Sequence, residues 1–172
     1  MDKFIRYNII NYNLTSLRQI LSLLFDSIII AIVNLRYLGK PSSDTFEFTL
    51  SAYDKVFAEP MPFHYQLFYS LCGKEMIHIF REANIKAGFA LFRVGPEKNI
   101  HIRSFGIINS FRGRGLAKPF LSESLSYWKA RGFKTSSVCV SYANKIALRT
   151  YLSLGFQPEE FQKLQLYLVK QL

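Results

Sequence analysis

The chain has 172 residues, nearly half of them apolar, with 16 Phe and 10 Tyr. That is enough to bury one core, and it excludes a disordered chain. The formal charge is +10 at pH 7, and the two cysteines, Cys72 and Cys139, have neither metal-ligand nor disulfide-framework spacing, so no metal is expected.

The opening "MDKFIRYNII" shows no basic segment followed by an apolar one, so no leader is expected and the setting reads as cytoplasmic. A short strand is expected over about Lys3–Ile10. In "NLTSLRQILSLLF", Asn13 or Thr15 can cap a helix carrying Leu17, Ile20, Leu21 and Leu24. The apolar run from Ile20 to Leu35 is short for a bilayer span and holds Asp26 near its middle. It reads as buried helix, with contact to a membrane surface or a partner left open. "GKPSSD" breaks the chain, a second helix is expected from about Asp44 to Phe57, and "EPMPF" reads as loop. "FHYQLFY", Phe63 to Tyr69, reads as core and rim.

Three β-like runs follow, "EMIHIFRE", "AGFALFRVG" and "NIHIRSFGII", joined by links short enough for antiparallel neighbours. "GLAKPFLSESLSYWKARG" reads as a helix with Ala117, Phe120, Leu121, Ser124, Leu125 and Trp128 on one side and Gly132 just past its end. Pro119 falls about a turn inside it, where it removes one hydrogen bond. "FKTSSVCVS" reads as strand, "NKIALRTYLSLG" as helix and "LQLYLVK" as the last strand. The order β-α-α-β-β-β-α-β-α-β predicts an α/β fold, a mixed, mostly antiparallel central sheet flanked by helices, in one domain over residues 1–172.

The charge excess is segregated. Residues 81–149 carry thirteen Lys and Arg against Glu82, Glu97 and Glu123, while the remainder is balanced. Such a concentration implies a polyanionic partner, either a phosphorylated small molecule or nucleic acid. Within it, "SFRGRGLAKPF" places Arg112, Gly113, Arg114, Gly115, Leu116 and Ala117 between a strand and a helix. Glycine lets backbone approach a ligand closely, and the unpaired amides and dipole of a helix start favour an anion. Neither the Walker loop nor the GxGxxG fingerprint is present.

These residues resemble the GNAT superfamily of acyl-CoA-dependent N-acetyltransferases. "RGRGLA" fits R/Q-x-x-G-x-G/A through Arg112, Gly115 and Ala117, and "NKIALRTYLSLGF" fits N-x-x-A-x-x-x-Y-x-x-x-G-F through Asn144, Ala147, Tyr151, Gly155 and Phe156. The resemblance covers about residues 74–169, a cofactor-binding core, and leaves residues 1–73 as a variable acceptor-side part. It implies acetyl-CoA as co-substrate and an amine-bearing acceptor, with acetyl passed directly in a ternary complex. The amides from Arg112 to Ala117 would hold the pyrophosphate, and the strands "NIHIRSFGII" and "KTSSVCVS" would splay apart for the pantetheine arm. A bulge near Gly106 would free the N–H of Ile107 or its neighbour Ile108 for the thioester carbonyl.

Asn144 and Tyr151 lie seven apart, two turns on one helix face and roughly 10 Å along the axis. The resemblance gives Asn144 the pantetheine amides and Tyr151 the departing thiolate, a task suited to a phenol of pKa about 10. Tyr151 otherwise reads as a packing tyrosine. For the base, His101 has the intrinsic pKa to take an ammonium proton, against the plainer reading of a half-exposed strand histidine. Glu59 and His78 are weaker alternatives, and Cys139 is not read as a nucleophile. A non-catalytic acyl-CoA-binding regulator and a basic nucleic-acid-binding module are the rival functions, although no nucleic acid is expected. A homodimer is left open, and so is the acceptor: an amino sugar, a polyamine, an antibiotic or a peptide amine.

Overall fold

A computed structural model describes residues 39–162 and 164–172. The expected strand Lys3–Ile10, the helix after it and the run Ile20–Leu35 lie outside the described residues. Helix α1 (Ser43–Phe57) starts where Ser42 Oγ accepts from the Thr45 N–H at 3.2 Å and ends at Ala58, in a left-handed conformation at φ 57°. Helix α2 (Phe63–Met76) buries Tyr69, Cys72, Gly73 and Met76, a spacing of three, one and three along one face. Gly73 is needed there because a Cβ would lie 2.9 Å from Pro41 Cγ and 2.8 Å from Ile77 Cδ1.

Strands β1 (Ile77–Glu82), β2 (Ile85–Val94) and β3 (Asn99–Ile107) form an antiparallel meander. Its first turn holds Ala83 and Asn84 at positive φ, the geometry whose twist matches a two-residue hairpin. Helix α3 (Ala117–Ala130) buries Phe120, Leu121, Ser124, Leu125 and Trp128, the face the periodicity predicts. Pro119 is its third residue, where the backbone N–H would lack an intrahelical partner in any case. Strand β4 (Thr135–Ser141), helix α4 (Lys145–Ser153) and strands β5 (Gln157–Gln162) and β6 (Gln165–Gln171) complete the order.

Among the described residues six strands lie as β1-β2-β3-β4-β6-β5, and only β3 and β4 pair parallel. This is the mixed α/β sheet the sequence predicts, with two additions. Helix α2 occupies the stretch read as core and rim, and β5 occupies "QPEEFQ", where Pro158 is tolerated because the strand is an edge. Helices α1 and α2 cover one face: Tyr53 packs on Phe89, and the Tyr69 hydroxyl donates to the Phe92 carbonyl at 3.0 Å. Helix α3 covers the other through Phe120 on Phe80 and Phe105 and Trp128 on Phe92. Among the described residues no helix is long and apolar enough to cross a membrane.

Candidate active site

The parallel pair β3–β4 is zipped only from Asn99↔Thr135 to Ile102↔Val138. Beyond that rung β3 runs on to Ile107 held by β2, and β4 runs on to Ser141 held by β6, so the two strands form a fork. The backbone groups along its inner edges have no strand partner, and buried groups of that kind require one. The Ile108 N–H donates to the Ala87 carbonyl at 2.9 Å, so Ile108 is not the free donor. Strand alternation then turns the Ile107 N–H to the fork.

The expected bulge exists three residues earlier than Gly106. Leu91 pairs with Ser104 and Phe92 with Ile102, which leaves Arg103 as the extra residue. Gly106 is instead a close-packing position, because a Cβ there would lie 2.7 Å from Val56 Cγ1 of α1.

At the open end of the fork the chain passes through a single 3-10 turn, Asn109–Phe111, into the glycine loop. Gly113 and Gly115 have φ of +75° and +73°, the left-handed conformation that favours glycine, with open space where a Cβ would stand. Leu116 leads into α3 without a side-chain cap, and no acidic residue occupies the first turn. The amides there point out unshielded. Arg112 and Arg114 brace the loop: Arg112 Nε donates to the Ile107 carbonyl at 2.9 Å, and Arg114 Nη2 to the Ser110 carbonyl at 2.9 Å. Arg112 thereby ties the loop to the end of β3.

Asn144 stands at the N-cap of α4, its Oδ1 accepting from the Ala147 N–H at 3.1 Å. Tyr151, two turns on, is 5 % exposed and packs edge-on against Phe156. Burial pushes its phenol above the usual tyrosine range, so it keeps its proton.

His101 sits in the zipped half of the pair. Its Nδ1 lies 2.9 Å from Ser137 Oγ, its ring stacks on Tyr167, and burial followed by the charges of Arg93 and Arg103 lowers its pKa to about 3. A group that weak and enclosed is a structural histidine, so the expected base role fails on physical grounds. His78 is another: it lies 2.9 Å from Ser124 Oγ, stacks on Trp128, and is lowered to about 4 chiefly by burial. It borders a cavity of about 480 Å³ between β1 and α3, on the far side of β2 from the fork. Burial raises the Cys139 thiol, against its use as a nucleophile. Among the described residues no cluster of His, Cys, Asp or Glu could hold a metal ion.

Two residues here escape the sequence reading, His64 and Arg103. His64 is exposed on α2, with its ring edge-on to Tyr65 at 4.5 Å. Arg103 lies 4.5 Å from the Tyr65 ring and contributes after burial to lowering His64. The helix that carries His64 reads in sequence as core and rim, which hides it. Glu59 is exposed in the α1–α2 loop, close enough to act on Tyr53.

A forked parallel pair, with a paired-glycine loop and an uncapped helix at its mouth, is an arrangement suited to a long polyanionic ligand. Residues 43–156 match the acetyltransferase (GNAT) family, and the chain belongs to that family. An uncharacterised N-acetyltransferase of Methanocaldococcus jannaschii is 36 % identical over 62 residues, which is 36 % of this chain and 27 % of that protein. The chain therefore matches about a quarter of that relative's length. Among solved structures, the ribosomal-protein-S18-alanine N-acetyltransferase of Escherichia coli is similar at TM-score 0.62 and 13 % identity, covering 78 % of this chain and 92 % of that one. A Bacillus subtilis acetyltransferase in complex with CoA is similar at 0.60 and 15 %, covering 78 % and 96 %. Arabidopsis thaliana Naa50 with the bisubstrate analogue CoA-Ac-MVNAL is similar at 0.62 and 15 %, covering 77 % and 95 %. At these identities the likeness is one of fold.

Proposed function

We propose that the protein is an N-acetyltransferase that moves acetyl from acetyl-CoA to a primary amine, directly and in a ternary complex, in a cytoplasmic setting. The observation that carries this reading is the fork between β3 and β4 opening onto the loop Arg112–Ala117 at the uncapped start of α3. Amides of Gly113 to Ala117 hold the pyrophosphate. The inner edges of the fork hold the pantetheine arm, with the Asn144 side-chain amide beside it. The Ile107 N–H faces the carbonyl oxygen and stabilises the negative charge that develops there.

The amine nitrogen forms the new N–C bond as the C–S bond breaks. Its proton passes to His64, directly or through water, since His64 is the exposed member of the three histidines and lies within electrostatic reach of Arg103 on β3. Tyr151 supplies a proton, or a strong hydrogen bond, to the departing sulfur. The segregated charge and the family membership support the same assignment.

Thermal-shift titration tests it. Acetyl-CoA should stabilise the protein by about 2.7 kcal/mol at a hundredfold excess over Kd, while ATP and single-stranded oligonucleotides should do little. Stabilisation by oligonucleotide alone would move the protein to the nucleic-acid-binding class. Stabilisation by acetyl-CoA with no turnover of any amine would make it a regulator.

A further inference from the structure

Arg103 is the first residue of β3 beyond the last rung shared with β4, and it is the extra residue of the β2–β3 bulge. A bulge re-aims the side chain it carries. Here it turns Arg103 to the α1–α2 face, over the Tyr65 ring at 4.5 Å.

Arg103 is half-buried, yet among the described residues the ion pairs are Lys86–Asp44 and Arg131–Glu75, neither of which involves it. A stacked ring offsets only part of the cost of partly burying a cation. Its forked donors suit a planar carboxylate or a phosphate.

Arg93 and Arg103 both bear on His101 and Cys139, and the carboxylates within influence, Glu59 toward Tyr53 and Glu160 toward Cys139, are exposed. Hydroxyls of Tyr53 and Ser104 lie alongside, close enough to act on each other. The pyrophosphate loop is distinct from this spot, since Arg103 and Ile107 are separated by about 13 Å of strand and the loop lies beyond Ile107.

We propose that Arg103 is a specificity-determining residue: it receives a carboxylate or phosphate carried by the acceptor, so the acceptor is an anionic amine. The inference rests on the transferase reading above and names the substrate class of that same site.

The test is calorimetric and needs no turnover. Protein saturated with CoA, which fills the loop, is titrated with matched pairs: O-phosphoethanolamine against ethanolamine, tyrosine against tyramine, and the tripeptide Met-Asp-Ala amide against Met-Asn-Ala amide. The anionic member of at least one pair should bind about tenfold tighter or more. Arg103→Gln should erase that difference, while Arg103→Lys should retain part of it. The first pair reports a phosphate, the others a carboxylate. Equal affinity within all pairs, or a preference that survives Arg103→Gln, overturns the proposal. Where Arg103→Gln does not fold, a preference unchanged in Arg103→Lys overturns it, because an unforked cation cannot keep a bidentate contact. Turnover is assayed separately with acetyl-CoA and the same amines. Anion preference without acetylation would sink the transferase reading and leave the Arg103 assignment standing.

Discussion

His101 and Ser137 face each other across the parallel β3–β4 pair, with Nδ1 and Oγ 2.9 Å apart, one rung before the strands separate. Ser137 Oγ donates to Asn99 Oδ1 at 2.9 Å, so it accepts from His101 and fixes the proton on Nδ1. Asn99 Nδ2 in turn donates to Thr135 Oγ1 at 2.9 Å. This polar chain joins the zipped half of the fork, and it is complete with a neutral imidazole. The histidine with the right intrinsic pKa for a base is therefore part of the hinge of the fork.

A pH dependence of stability follows. His101 and His78 have folded pKa values of about 3 and about 4, below the unfolded value near 6.5. Above pH 6.5 both states hold these rings neutral and stability is full. As pH falls below 6.5 the unfolded chain takes up protons that the folded one refuses, so stability declines until the folded groups titrate near 4 and 3. The expected loss between pH 6.5 and 5 is on the order of 3 kcal/mol for the two rings together. His101→Gln keeps a donor toward Ser137 and should roughly halve that slope. Urea midpoints at pH 7.5, 6.5 and 5 check it, and a flat profile in the wild type contradicts the burial argument.

A second expectation concerns the loop. Gly115 has φ +73° and no atom within 4 Å of where a Cβ would stand, so a side chain there meets strain but no clash. Gly115→Ala should cost roughly 1–2 kcal/mol of stability from the left-handed conformation alone. Gly115→Asp adds a negative charge among the phosphate-binding amides and should weaken acetyl-CoA binding by about tenfold or more beyond the alanine variant. Calorimetry on both folded variants reads the difference. Equal affinities would place the pyrophosphate elsewhere.

Much of the fold and the loop is legible in the sequence because it rests on local chemistry. Paired glycines before an apolar periodic run mark a helix mouth, and Gly132 just past the last apolar position marks a helix end. Helix α2 is not legible: it starts after Pro62 with no side-chain cap, and Phe63, Leu67 and Leu71 leave apolar residues exposed opposite its buried face. Periodicity fails when both faces are apolar. Strand β5 is hidden by Pro158 and two glutamates, admissible only because it is an edge. Glycine suggests irregular backbone and so draws the expected bulge to Gly106, yet that glycine is explained by Val56, and the irregularity falls on Arg103. Burial of His101 depends on Tyr167, which is distant in sequence.

The third expectation is a pH–rate profile. His64 is exposed and lowered below its ordinary value, first by the burial it has and then by Arg103, so it is unprotonated at neutral pH. A base of this kind is lost as pH falls through its pKa, giving kcat/KM an acidic limb below about pH 6.5. His64→Ala should lower the rate at pH 7 by about 10–100-fold, and the gap should narrow at alkaline pH, where free amine is plentiful. An unchanged profile would assign the proton to water alone.

The last expectation concerns Tyr151. The phenol is nearly enclosed, packed on Phe156, and held protonated by burial. Tyr151→Phe keeps the ring and its packing while removing the hydroxyl, so stability should change by less than about 1 kcal/mol and acetyl-CoA affinity should barely move. General acid groups typically contribute about 10²–10⁴-fold. The departing thiol is already a fair leaving group, with a cysteine-like pKa near 8.5, and a phenol pushed above 10 yields its proton less readily still. Both considerations favour the lower end, a fall of about 10²-fold in kcat with KM for acetyl-CoA nearly constant. The two measurements must be made together, because a fall in kcat that came with lost stability or a changed KM would report disturbed packing, while a proton-donor role moves kcat alone. A kcat within twofold of wild type, with chemistry shown to be rate-limiting, would reduce Tyr151 to a packing residue between α4 and the sheet.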